Sequence, residues 1–502
     1  MRERFEESWA LWSILAAQAT LTLPWMWRTA PYTDEALYLS LGHQGWSYLM
    51  SNAASFPGFP VLYPPIAATL DSAGGLIAAR FPSLIFMLAA TALIYLIGDR
   101  LFGRMSAVLG ALLFAVCGIA VHLGAAATFE PMALFLLVVA LYAAVKMRDG
   151  GIRWLLICPL ALALANLTKY STTAWDPVII TTIVLYGWSK GKAQAICLTI
   201  SVAATAAVLD AGILFLGGAN LATAVLANTI DPALQPGPPS SALGVLGHAA
   251  LMIGLIVLIA IAGVWASVVK KMPAMATAFL ILLVLAALVA PIEQARVHEM
   301  TSLDENMSFG LPFAALGAGY ALGAWRQWLG RQRHWGQVVA TTAAVVTVIT
   351  MLIVGRVERV QFRGPGVEVA TSVYQVIGEN WVKGTLVLDD SPTATTQYYL
   401  PVIPASSWIR LYPSRISWTK TELSQGCFSV VMLEAKNSAQ DKPVRDVLKQ
   451  DHFRKLPTVG TSINRITIWV SQAQGSGNTK QGSQNPSPGQ DQGNQGQNAG
   501  AC

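Results

Sequence analysis

The chain is expected to fold as a polytopic α-helical membrane protein carrying a small α/β domain after its last span, and three features of its 502 residues predict this. Hydrophobic residues make up 54% and charged residues only 12%, with a mean hydropathy of +0.50, a balance that excludes a soluble globular protein. Apolar runs recur along the first 355 positions, and a hydrocarbon core of about 30 Å needs roughly 20 such residues per helix. Beyond them, short β-prone runs replace the long apolar ones.

In chain order about eleven runs qualify, at residues 8–27, 76–97, 105–123, 131–146, 154–167, 174–188, 194–217, 245–268, 274–291, 308–324 and 337–355. Together they give a membrane domain over residues 1–355. The first run has no small-residue cleavage site after it, so it is expected to stay as a helix. Loops rich in Lys and Arg stay in the cytoplasm. With the N-terminus inside, the inner loops hold Arg2, Arg4, Arg100, Arg104, Lys146, Arg148, Arg153, Lys190, Lys192, Lys270, Lys271, Arg326, Arg331 and Arg333. The outer loops hold only Arg28, Arg80, Lys169 and Arg296. The expected setting is a multi-pass protein of the cell membrane with its C-terminal domain outside. Each outer cation runs against the bias, so it is either an anchor whose stem lies along apolar surface or a binding group.

The five cysteines show no metal-ligand spacing and imply neither a zinc site nor a disulfide framework. The formal charge of +6 comes mainly from the inner loops and is not a nucleic-acid signal. Residues 356–471 alternate β-prone runs, Thr385–Asp389 and Ser429–Leu433, with helical ones, Val367–Ile377 and Lys442–Gln450, as an α/β domain would. Residues 472–502 are mostly Gly, Gln, Asn and Ser and are expected to be a disordered tail. Asp389-Asp390 ends a strand in a Ser-Pro turn and reads as loop chemistry.

The long first outer loop, residues 28–75, carries the acidic pair Asp34-Glu35 among aromatic residues. It also has the composition of short helices lying in the interface plane. Asp34 is a favoured N-cap for a helix starting at Glu35, and a cap can also hold a carboxylate at a site. Glu130 precedes Pro131, which suits a first helical turn and the positive end of a helix dipole.

These residues resemble a family. The acidic pair, the Pro64-Pro65 segment before the second span, its Ala79–Leu84 start (Ala-Arg-Phe-Pro-Ser-Leu) and the Leu-Phe-Gly-Arg loop at 101–104 look like the GT-C membrane glycosyltransferases. The chain is similar to the bacterial glycosyltransferase family 39 or dolichyl-phosphate-mannose-protein mannosyltransferase group, and to the lipid A aminoarabinose transferases. The likeness covers about the first 320 residues. It implies an enzyme that takes a sugar from a polyprenyl-phosphate carrier and passes it to a glycan, lipid or protein acceptor outside the cell. Glu130 stands where an Asp is commoner, and Ala165–Tyr170 is similar to the family's Thr-Lys segment. Two elements depart: Tyr63 replaces a Lys before the double proline, and Arg296–Asn306 replaces a late Arg-Tyr element.

For that reaction a carboxylate within reach of the acceptor hydroxyl takes its proton, and a fixed cation stabilises the phosphate that leaves. Asp34 is the candidate base, Glu35 an orienting or cation-binding group and Glu130 a further acidic site residue. Lys169 and Arg80 are the candidate donor-phosphate contacts, accompanied by Tyr170 and Tyr63, with Arg296 and His298 as weaker ones. No cofactor is expected, and a divalent cation stays open. The rival reading is a lipid or solute transporter, in which Asp210 within the seventh span would mark the pathway. A silent scaffold is a third.

Overall fold

The computed structural model describes residues 2–51, 61–189, 191–229, 240–298, 300, 302–330, 334–361, 367–389, 398–411, 416–434, 442–450, 452–460 and 465–472. The tail from residue 473, Asp390 and the aromatic stretch 52–60 lie outside them. Contacts divide the chain into two compact units, one of Met1–Trp27 and Leu41–Arg363, the other of Arg28–Ser40 and Gly364–Cys502.

A helix stands at each expected apolar run. They are α1 (Arg2–Arg28), the short α2 (Thr33–His43) and α3 (Trp46–Ser51) of the first loop, α4 (Tyr63–Phe102), α5 (Arg104–Val116), α6 (Gly118–Gly124), α7 (Glu130–Lys146), α8 (Ile152–Thr168), α9 (Asp176–Gly187), α10 (Lys192–Thr229), α11 (Ala242–Val269), α12 (Ala274–Arg296), α13 (Leu303–Gly330) and α14 (His334–Gln361). Six described helices are long and apolar enough to cross a membrane alone, and α5 with α6 makes a seventh if the bent pair is one span.

Three expectations need correction. The run at 105–123 is not one rod but α5 and α6, bent by 63° about Cys117. The first loop is shorter than its composition suggests, because α4 already starts at Tyr63 with Pro64 and Pro65 in its first turn, where a missing N–H costs nothing. Its two limbs meet at Gly74 and Gly75, and Gly75 has φ 69°, a conformation that glycine reaches without strain. Lastly, Asp34 does not cap α2. The helix begins at Thr33, the Ala36 N–H bonds to the Tyr32 carbonyl at 2.9 Å, and both carboxylates sit inside the first turn.

In the first unit α13 is the central helix, buried throughout its apolar window and packed against α5, α11, α12 and α14. It crosses α5 through glycine: a Cβ on Gly319 would lie 2.4 Å from the Ser106 carbonyl oxygen and 2.7 Å from the Gly110 nitrogen. Small residues of this kind let helix backbones approach where lipid supplies no hydrophobic drive.

The second unit is a mixed sheet. Its strands are β1 (Leu386–Asp389), β2 (Trp408–Arg410), β3 (Phe428–Glu434), β4 (Phe453–Lys455), β5 (Val459–Gly460) and β6 (Arg465–Ser471). They lie in the order β2-β1-β3-β6-β4 with β5 also on β6, parallel for β1 with β2 and β3 and antiparallel at β6. Alternation along the strands sorts the core: Val387, Val430, Met432, Ile468 and Val470 face helix Val367–Asn380, and Ala30 joins that layer. Leu388, Val431, Leu433 and Trp469 face helices Ile416–Ser424 and Lys442–Gln450 on the other side. Cys117, Cys158 and Cys197 are free cysteines.

Candidate active site

The first unit buries three charged side chains at one point, each delivered by a helix end. Glu130 opens α7, held in the first turn by Pro131, and is fully buried. Lys169 closes α8 in an extended conformation, its N–H bonded to the Ala165 carbonyl at 2.8 Å. Its own carbonyl accepts the Thr172 N–H and hydroxyl at 3.0 and 2.9 Å, which starts a 3-10 turn over Tyr170–Trp175. Trp175 pins that turn to α12 by donating its indole N–H to the Ala286 carbonyl at 3.0 Å. Glu305 lies in the first turn of α13, where the unpaired N–H end of a helix favours negative charge.

Lys169 Nζ donates to Glu130 Oε1 at 2.9 Å and lies 3.5 Å from Glu305 Oε2. The ring centroids of Phe129 and Phe309 are 5.1 and 5.7 Å from the same nitrogen. Side-chain exposures are 7% for Lys169, 0% for Glu130 and 9% for Glu305. A buried ammonium needs a carboxylate beside it to offset lost hydration, and the aromatic faces add cation–π attraction. These three side chains set two carboxylates against one ammonium. Glu130 Oε2 is buried and has no hydrogen-bond partner among the described residues.

The other expected residues have contacts of their own. Arg80 is 1% exposed and donates from Nη1 to the Met26 carbonyl at 2.6 Å. Met26 belongs to the last turn of α1, whose carbonyls have no partner within the helix, so Arg80 closes that helix end. Tyr63 is fully buried, and its hydroxyl reaches the Ala79 carbonyl at 3.2 Å and Ser83 Oγ at 2.8 Å. It thereby braces the two limbs of α4 across the Gly74-Gly75 break. Tyr170 is half-buried next to Lys169. Arg296 forms an exposed pair with Glu293 on its own helix, at 2.9 and 2.6 Å. His298 adopts φ 57° and places Nδ1 3.1 Å from the Ser240 carbonyl, while its own carbonyl accepts the Ser240 N–H at 2.9 Å. Asp34, half-buried, and Glu35, fully buried, belong to the second unit.

Sequence reasoning missed Glu305. Ser302-Leu-Asp-Glu305 has the spacing of a capping box, so the carboxylate reads as a helix cap. It also missed a second polar cluster. Asn166 donates from Nδ2 to Asp176 Oδ2 at 2.9 Å and to Asp210 Oδ2 at 3.3 Å, and its Oδ1 accepts from Thr172 at 2.8 Å. Asp210, the residue a transport pathway would have used, is therefore tied to the turn that follows Lys169. Among the described residues no three His, Cys, Asp or Glu side chains group as a metal-ligand set.

Residues 66–211 match the model of the family described as dolichyl-phosphate-mannose-protein mannosyltransferase. No curated protein matches the chain. Among solved structures, ArnT from Cupriavidus metallidurans bound to undecaprenyl phosphate aligns with a TM-score of 0.60 at 13% identity, over 93% of this chain and 98% of that one. The apo oligosaccharyltransferase of Archaeoglobus fulgidus gives 0.59 at 10% identity over 93% and 75%. The archaeal oligosaccharyltransferase AglB, from the same organism, in complex with an inhibitory peptide and a dolichol-phosphate gives 0.57 at 12% over 94% and 75%. These likenesses establish the fold, that of the ArnT and archaeal oligosaccharyltransferase structures.

Proposed function

We propose that this multi-pass GT-C membrane protein is a glycosyltransferase that moves a sugar from a polyprenyl-phosphate carrier to an acceptor hydroxyl. The carrying observation is the buried Glu130–Lys169–Glu305 cluster in a fold whose neighbours hold undecaprenyl phosphate and dolichol-phosphate. The family match over 66–211 spans Arg80, Glu130 and Lys169, and it supports a transferase over a transporter.

The acceptor oxygen attacks the anomeric carbon, the bond from that carbon to the phosphate oxygen breaks, and polyprenyl phosphate leaves with the electron pair. Asp34 takes the acceptor's proton. Lys169 meets the charge that grows on the phosphate, and Glu130 fixes where its ammonium lies. Glu35 orients the acceptor. Arg80, with Tyr170 and Tyr63, accompanies Lys169 at the donor phosphate, and Arg296 and His298 are weaker contacts to it. The reaction takes place on the extracytoplasmic face of the cell membrane, with the N-terminus inside and the sheet unit outside. The charge asymmetry of the loops supports that orientation.

Membranes incubated with a panel of radiolabelled polyprenyl-phosphate sugars should move one label to an acceptor. Asp34→Asn should abolish that transfer while expression and membrane insertion persist. Near-normal turnover in this variant would remove Asp34 as the base, and failure of every donor would remove the transferase reading.

A further inference from the structure

The two carboxylates on Lys169 are not equivalent. Glu130 Oε1 makes a hydrogen bond at 2.9 Å from a fully buried side chain, whereas Glu305 Oε2 stands off at 3.5 Å. Glu305 also sits where a carboxylate has a second source of support, the N-terminal turn of α13, whose free N–H groups favour an anion without Lys169. Glu130 has less freedom, being locked at the start of α7 beside Pro131.

We propose that Glu305 is an internal stand-in for the donor phosphate: it occupies the second anion position on Lys169 and gives it up when the lipid-linked sugar binds. The proposal rests on the assignment of Lys169 to the donor phosphate. A phosphodiester carries the same single negative charge as the carboxylate whose place on Lys169 it takes. The ammonium stays in place during it, because Glu130 and the faces of Phe129 and Phe309 still hold it at 2.9, 5.1 and 5.7 Å. Phe309 lies one turn beyond Glu305 on α13, so the ring remains under Lys169 whichever way the carboxylate turns. Glu305 thereby sets donor affinity by competition.

The test is binding of undecaprenyl phosphate to the full chain in nanodiscs, read as the dissociation constant. Glu305→Gln keeps the side chain's shape and removes its charge. Removing a like charge from beside a bound anion should tighten binding on the order of tenfold or more. Glu305→Asp should stay close to the parent. A control, Glu130→Gln with Lys169→Gln, preserves the cluster's net charge and should lose the affinity. Unchanged or weaker binding in Glu305→Gln, with the control still losing affinity, would overturn the stand-in role alone. Full affinity in the control would overturn the assignment of Lys169 to the phosphate. Thermal unfolding of each variant without lipid checks that it is folded, and Glu305→Ala provides a second charge-free variant should the glutamine fail to fold.

Discussion

Lys169 and Arg296 both stand at the C-terminal end of a membrane helix, and each has a carboxylate within 3 Å, yet their surroundings differ. Side-chain exposure is 7% and 0% for Lys169 and Glu130, against 61% and 55% for Arg296 and Glu293. Water and ions screen the second pair, and an exposed pair three residues apart on one helix contributes little to stability. The first pair has exchanged hydration for fixed partners from three separate helix ends. Losing one partner there strands a charge in apolar surroundings. Burial, not the presence of a partner, separates the two cations.

The largest effect should come from Lys169→Met, which leaves Glu130 and Glu305 facing each other without a counter-charge. About 3–5 kcal/mol of stability should be lost, read as a fall in the unfolding midpoint of the purified protein in nanodiscs. A loss below 1 kcal/mol would mean that the carboxylates find other partners and that the contrast with Arg296 is false. A neutral buried group gives an intermediate case. Tyr63→Phe removes a hydroxyl that bridges the two limbs of α4 and should cost about 1 kcal/mol, measured in the same way, because Ser83 and the Ala79 carbonyl then lose a partner. The smallest effect should be that of Arg296→Met. The midpoint should stay close to that of the parent, and the small change should vanish at high salt. A large loss here would show that the exposed pair belongs to a site after all.

Much of this was legible in the sequence because lipid leaves the backbone few options. Apolar runs must be helices when every N–H and C=O has to be satisfied within the segment, and each of the eleven runs lies on one. Pro131 marked the start of α7, and with it the position of Glu130. The β-prone run Ser429–Leu433 marked a strand, and β3 lies on it. Bends were less visible. The break between α5 and α6 falls at Cys117 inside an unbroken apolar run, and Gly74-Gly75 divides a helix whose first limb was read as loop.

Side-chain partners were the least legible. Arg80 carries the charge of a phosphate ligand, and only the position of Met26 shows that its guanidinium also closes the end of α1. Glu305 lies 136 residues beyond Lys169 in the sequence, in a segment where the family's late motif is missing, and it follows a serine at cap spacing. Nothing local distinguishes it from a cap until α8 and α13 are brought together.

The glycine contact between α5 and α13 has a consequence for timing. With Gly319 seated against Ser106 and Gly110, α13 has no room to slide or roll along its neighbour. Whatever happens at its leading end is therefore confined to a turning side chain or a loosened terminal turn. Such events run in nanoseconds to microseconds, not over the microseconds to milliseconds of hinging bodies. Loading of the carrier lipid should accordingly follow diffusion within the bilayer, with no slow rearrangement to wait for.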